Sequence, residues 1–187
     1  MKYAFITGIP ACGKSYLTEK VAKSLDIQHI DTDDWREEMS NDPELKKWVD
    51  FFFNLDEKEY WQSAKPDEQW QNLVKQSEAF WPVISKKIKE IQATGKATIF
   101  EGVNLLPHLI SQLDIKGILL LGESYQTILD RNKKAPRWGN TEELQILEAK
   151  AFWEVEQPRY KAEAEKYNLP IFSDAALAED FLLEIFK

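Results

Sequence analysis

A chain of 187 residues is long enough for one α/β domain with a real core and too short for two full ones. Hydrophobic residues make up 43% and charged residues 30%, a balance that excludes disorder, and no apolar run approaches the length needed to span a bilayer. A formal net charge of −8 excludes any general attraction for nucleic acid or anionic membranes, so phosphate must be held by a local site.

Lys2 to Thr7 is a short apolar run with aromatic and β-branched residues and reads as a buried strand. The N-terminus shows no signal-peptide pattern, and the single cysteine, Cys12, excludes an internal disulfide framework; both point to the cytoplasm. Gly8 to Gly13 is a loop. From Lys14 the pattern becomes helical, with Leu17, Val21 and Leu25 at a spacing of four. Ile27 to Ile30 reads as the second strand and ends at Asp31.

Residues 34–95 contain no convincing strand. Asp42-Pro43 and Lys65-Pro66-Asp67 mark helix starts, and the stripe from Trp70 to Ile91 has helical spacing, with Pro82 expected to kink or split it. Gly95 follows as a C-cap. Ala97 to Phe100 is the third strand, Leu105 to Leu113 a short helix, and Gly117 to Leu121 a fourth strand, apolar throughout as in a sheet covered on both faces. Ser124 to Asn132 is helical, residues 132–140 form a polar loop, and Asn140 with Glu143 suggests a capping box for the next helix. Pro158 should begin or kink a further segment. Leu169 to Phe172 is the fifth strand, before a last helix carrying Leu177, Phe181 and Ile185. Strands alternating with helices indicate a parallel sheet, whose ligands bind at the carboxyl ends of the strands.

Three constellations fall at such ends. Gly8-Ile9-Pro10-Ala11-Cys12-Gly13-Lys14-Ser15 fits G-x-x-x-x-G-K-[ST] between a strand and a helix, the Walker A or P-loop pattern. Its glycines permit backbone angles closed to other residues, so that amides turn inward around phosphate oxygens at a helix N-terminus. This assigns nucleotide binding to Gly8 through Ser15 and the adjoining Tyr16, with Lys14 on the phosphates and Ser15 on Mg²⁺. Cys12 reads as a small loop residue before it reads as a redox switch.

The second is Asp31-Thr32-Asp33-Asp34-Trp35-Arg36. Phosphoryl transfer needs a carboxylate to take the proton of the acceptor hydroxyl, and gains from an arginine that forks onto an acidic group. Asp33 or Asp34 is the base on this reading and Arg36 the anchor; the structural alternative is that one of the aspartates caps a helix. The third is Glu101-Gly102, where Glu101 is placed to support Mg²⁺ or its water shell. Asn104 nearby either contacts the acceptor or caps the helix beginning at Leu105. Beyond these, Arg131, Lys133, Lys134 and Arg137 form a basic cluster beside a loop, and Arg131 or Arg137 is a candidate to neutralise charge on the transferring phosphoryl group. Five of the seven tryptophans lie between Trp35 and Trp81. At helical spacing they read as core before ligand contact, although Tyr60 and Trp61 lie between helical patterns and are open to stacking on a ring.

The loop GIPACGKS, the segment DTDDWR, the strand end FEGVN and the stretch RNKKAPR together resemble the P-loop kinase superfamily across nearly the whole chain. DTDDWR resembles the D-D-x-R segment of bacteriophage-type 5′-polynucleotide kinases, which implies Asp33 as the base and Arg36 as the contact to the acceptor's phosphate. EGVNLLP and the stretch from Glu156 to Phe172 resemble 2-phosphoglycerate kinases, and zeta-toxin-type kinases share the loop and the aspartate-arginine layout. The resemblance implies a single P-loop kinase domain over 1–187 and a three-layer α/β/α sandwich around a five-stranded parallel sheet. A helical acceptor-binding insertion (34–95) separates strands two and three, and 132–140 serves as a lid loop. The expected activity is transfer of the γ-phosphate of ATP, with Mg²⁺, to a hydroxyl of a small anionic acceptor. The alternatives are a 5′-polynucleotide kinase, which the acidic balance disfavours, and a nucleotide-dependent switch or ATPase acting through a protein partner.

Overall fold

The computed structural model describes residues 2–51, 54, 56–136, 139 and 141–187. Five parallel strands form one sheet in the order β2-β3-β1-β4-β5: β1 (Tyr3–Thr7), β2 (Gln28–Asp31), β3 (Thr98–Glu101), β4 (Lys116–Leu120) and β5 (Ile171–Phe172). Each lies within a residue or two of its expected place, as apolar runs closed by glycine and polar residues should. The central strands β1, β3 and β4 are buried almost throughout, which explains why they read as unbroken apolar runs instead of alternating ones.

Helices α1 (Lys14–Leu25) and α10 (Ala175–Phe186) pack on each other and on the sheet. The other layer holds α5 (Pro66–Thr94), α6 (Pro107–Ile110) and α9 (Gln157–Lys166), in contact in that order, with α9 against β4. Between β2 and α5 the chain makes a 3₁₀ turn (Thr32–Trp35) and three short helices, α2 (Arg36–Met39), α3 (Pro43–Val49) and α4 (Glu57–Ser63). These helices and α5 are the helical insertion between the second and third strands. Among the described residues no helix is long and apolar enough to cross a membrane.

Several expectations change here. Pro82 does not split α5, which runs unbroken for 29 residues. Its stripe of Leu73, Phe80, Trp81, Ile84 and Ile88 is buried in the core, and that burial outweighs the roughly 3 kcal/mol cost of an internal proline. The short helix after β3 starts at Pro107, not Leu105, with Leu106 as N-cap. Helix α7 (Tyr125–Lys134) runs two residues further than its apolar pattern suggested. Helix α8 (Glu142–Ala151) is capped by Thr141, which accepts the Leu144 N–H at 3.3 Å; Asn140 lies outside the described residues.

Pro158 lies in the first turn of α9, at the start of a segment as expected, but the chain does not break before it. From α8 the chain passes through a π turn (Phe152–Glu156) directly into α9, and the Gln157 N–H reaches back five residues to the Phe152 carbonyl. A proline has no N–H to continue α-helical bonding, and the wider turn immediately before it absorbs the mismatch. Helix α9 is then fixed through its first turn. Gln157 Oε1 accepts the Gly122 N–H at 2.6 Å, while the buried Tyr160 hydroxyl donates to the Val103 carbonyl. Replacing Tyr160 by Phe should therefore leave the Val103 carbonyl without its donor and lower the unfolding free energy by about 1–3 kcal/mol in urea denaturation. An unchanged midpoint would mean that this bond does not hold α9 to the sheet.

Candidate active site

The sheet order assembles the site. Because β3 lies between β2 and β1, Glu101 is in register with Asp31 on one side and Ile6 on the other. The loop that follows β1 therefore rises beside two carboxylates. In that loop Gly8 and Gly13 have φ of 145° and 106°, as their positions in the motif require. Ala11 is also left-handed, at φ 59°, which nothing in the motif announces. A side chain at Gly8 would put a Cβ 2.3 Å from the Leu120 carbonyl oxygen. Gly13 starts α1 without any side-chain cap, so the first-turn amides are left to bind an anion. Lys14 is buried, its Nζ 2.9 Å from the carbonyls of both Gly8 and Ile9. Tyr16 is 73% exposed, which leaves only its backbone to face the loop.

Glu101 is the hub. Ser15 Oγ donates to its Oε2 at 3.0 Å, His29 Nε2 lies 2.8 Å from its Oε1, and Thr18 Oγ1 lies 3.2 Å from the same oxygen. Burial pushes the Glu101 carboxyl up, but the bond to His29, the charge of Lys14 and the Ser15 hydroxyl together hold it below the usual range. The same bond to Glu101 raises the His29 imidazole against the opposing effect of burial. Neither His29 nor Thr18 was singled out from the sequence. The signals were there: His29 is two residues before Asp31 on a strand, and Thr18 is three after Ser15 on a helix, so each shares its partner's face.

The acidic segment resolves into distinct roles. Asp31, not Asp33 or Asp34, is the cap: its Oδ1 accepts the Asp33 N–H at 2.9 Å. Asp34 is exposed, while Asp33 lines the cavity described below. Arg36 Nη2 donates to Asp33 Oδ1 at 3.2 Å and to Asn104 Oδ1 at 2.7 Å, and its Nε is buried with no partner among the described residues. Asn104 caps no helix. Its amide nitrogen lies 2.8 Å from Ser77 Oγ and 3.3 Å from Gln76 Oε1, so it bridges Arg36 to α5.

A cavity of about 320 Å³ joins these parts. Lys14, Ser15, Asp31 and Glu101 line it at the sheet, and Asp33 and Arg36 at the 3₁₀ turn. The insertion contributes Val49, Trp61, Leu73 and Gln76. Of the aromatic residues of the insertion, Trp61 thus faces the cavity while Tyr60, Phe80 and Trp81 are buried in the core; Phe52 and Phe53 lie outside the described residues. The remaining wall holds Glu148, Phe152 and Glu156, and the ring of Phe152 meets Trp61 edge-on at 6.3 Å.

Arg131 sits on α7, as its place in the helical pattern implied. Its Nη1 donates to the carbonyls of Ala11 and Cys12 at 3.2 and 2.9 Å, and its Nη2 pairs with Glu123. It flanks the glycine loop without lining the cavity. Arg137 lies outside the described residues, and Lys133 is engaged at the surface by Glu142.

No family model matches the chain, and no curated protein matches it in sequence. Solved structures do match in fold. A shikimate kinase of Bacteroides thetaiotaomicron is 16% identical with a TM-score of 0.50, the match covering 98% of this chain and 96% of that one. A shikimate kinase of Acinetobacter baumannii in complex with shikimate is 14% identical with a TM-score of 0.54, over 99% and 93%. A Thermus thermophilus protein is 14% identical with a TM-score of 0.56, over 98% and 94%. The chain has the α/β/α fold of the P-loop small kinases.

Burial, and next the charge of Asp33, push the Asp31 carboxyl up from 3.8 to about 6. A raised carboxyl binds a proton in the folded state that the unfolded chain has already released, so stability is lost as pH rises from the unfolded pKa through the folded one. Asp31→Asn keeps the capping oxygen and removes the charge. In thermal melts it should be more stable than the parent above pH 6, with the gain shrinking to nothing below pH 3.8. A gain that is independent of pH would disprove the electrostatic origin.

Proposed function

We propose that the protein is an ATP-dependent kinase that transfers the γ-phosphate to a hydroxyl of a small acceptor. One observation carries this reading: the Asp33 carboxylate shares a single cavity with Lys14 and Ser15 of the phosphate loop. A nucleotide switch needs the loop alone, whereas a carboxylate within reach of both donor and acceptor is what hydroxyl activation requires. The fold of the shikimate kinases supports the same reading. The acidic walls of the cavity weigh against a polyanionic strand as acceptor.

The roles follow from the geometry. Loop amides from Gly8 to Ser15 cradle the phosphates, and Lys14 turns from the loop carbonyls to the β- and γ-oxygens. Asp33 takes the hydroxyl proton as the acceptor oxygen bonds to the γ-phosphorus. The bond from that phosphorus to the bridging oxygen then breaks, and ADP leaves with the electron pair. Arg36 has an unused buried N–H for an anionic or carbonyl oxygen of the acceptor. Ser15 Oγ and Glu101 are hard oxygen donors 3.0 Å apart, a pair that suits Mg²⁺ held largely by substrate phosphates. That ion, held by Ser15 and Glu101, would neutralise charge developing on the phosphates. Among the described residues no group of three or more metal-binding side chains is poised to hold a cation. His29 keeps Glu101 ionised and oriented. Arg131 steadies the loop beside the nucleotide, residues 132–140 with Arg137 serve as the lid, and residues 34–95 select the acceptor.

The test is transfer from labelled ATP·Mg²⁺ to pooled alcohols, sugars, sugar acids and nucleosides. Asp33→Asn should lower turnover by about 10²–10⁴-fold with nucleotide affinity nearly unchanged, as for a lost general base. Most activity retained would remove Asp33 from that role. Lys14→Ala should instead weaken nucleotide binding, measured by calorimetry. Slow hydrolysis with no labelled acceptor product, unaffected by Asp33→Asn, would favour a switch.

A further inference from the structure

The wall formed by Glu148, Phe152 and Glu156 has no task in the transfer step. In an unbroken α-helix, side chains eight residues apart point about 80° away from each other. The π turn widens the helix between Glu148 and Glu156 and removes most of that offset, and both carboxylates line the cavity. Glu156 is 9% exposed, and its side chain makes no hydrogen bond with any described residue. Glu148 is 1% exposed, with one oxygen accepting the Asn132 amide at 2.8 Å.

Among the described residues the cavity is lined by two cations, Lys14 and Arg36. Lys14 is hydrogen-bonded to loop carbonyls and Arg36 to Asp33 and Asn104. A buried carboxylate without a cationic partner, such as Glu156, is costly, and Glu148 adds a second carboxyl group to this wall. An anionic acceptor group placed here would meet two carboxyl groups and no cationic side chain on this wall. A protonated amine would meet Glu156, Glu148 and the adjoining rings of Trp61 and Phe152, whose faces attract cations.

We infer that the acceptor is a small amino alcohol whose ammonium group sits against Glu156, with Glu148 beside it; this rests on the kinase reading and narrows its substrate class. Burial drives the free Glu156 carboxyl up to about 8, opposed by Lys14 and reinforced by Glu148, so the group waits neutral until a cation arrives. The two ends of the cavity then discriminate by charge: Arg36 offers a donor toward anionic or carbonyl oxygen, while the wall of Glu148 and Glu156 gains a favourable charge contact only from a cation.

The probes are matched pairs: ethanolamine with ethylene glycol, glucosamine with glucose, and serine with glycerate. Binding is read by thermal shift with Mg²⁺ and a non-hydrolysable ATP analogue, and transfer is read separately with labelled ATP. In at least one pair the amine should bind ten-fold or more tighter than its amine-free partner. Glu156→Gln, which mimics the neutral acid and should keep the thermal midpoint, should abolish that preference; Glu148→Gln should weaken it. Equal binding within every pair, an amine preference that survives Glu156→Gln, or no binding by any amine would each overturn the assignment. Glu156-dependent amine binding without transfer would leave the assignment standing and count against the kinase instead. Transfer only to amine-free acceptors would do the reverse.

Discussion

The site depends on the parallel register of β2, β3 and β1. Placing β3 between the other two sets Glu101 beside Asp31 and at the root of the glycine loop. Every other element of the candidate site is hung from that junction. Ser15, Thr18 and His29 converge on Glu101, the Asp31 cap launches the 3₁₀ turn, and the turn carries Asp33 and Arg36 into the cavity. Two acidic groups at adjacent strand ends repel each other, and the structure answers with opposite settlements. Glu101 is surrounded by donors and held ionised, whereas Asp31 has a single backbone donor and is pushed toward the neutral form. Hydrogen-bond supply, more than burial, separates them.

The parts that could be read from sequence were those with local causes. The loop needs fixed glycines and a lysine at fixed spacing, so eight consecutive residues announced it. Strand positions followed from apolar runs. The choice between Asp33 and Asp34 depended on the phase of a single 3₁₀ turn, which no periodic pattern records; a one-residue shift would have exchanged the cavity and solvent faces. The cap of α8 fell on Thr141 in place of Asn140 for a similar reason, since boundaries are set by one hydrogen bond. Pro82 misled because a local penalty was outweighed by tertiary burial along a long helix.

The Glu148–Phe152–Glu156 wall was invisible for a different cause. A pattern search assumes a constant number of residues per turn, and the π turn changes that number in mid-helix. The residues after it rotate onto a face that 3.6-residue periodicity assigns elsewhere. Pro158 was its trace in the sequence: it marks the start of α9, as expected, but does not announce the change of pitch before it.

Asn104 has an implication for how such a protein could change its substrate. This residue ties Arg36 to Ser77 and Gln76 on α5, so the long helix of the insertion and the guanidinium beside the base move as one body. A drift in the insertion's sequence that shifts α5 re-aims Arg36 without altering any residue of the acidic segment. Under the proposed roles, acceptor choice and proton transfer are geared together: the helix that lines the pocket also holds, through Asn104, the guanidinium beside Asp33. Recognition can then evolve through substitutions far from the phosphate loop, while the junction of β2, β3 and β1 stays untouched.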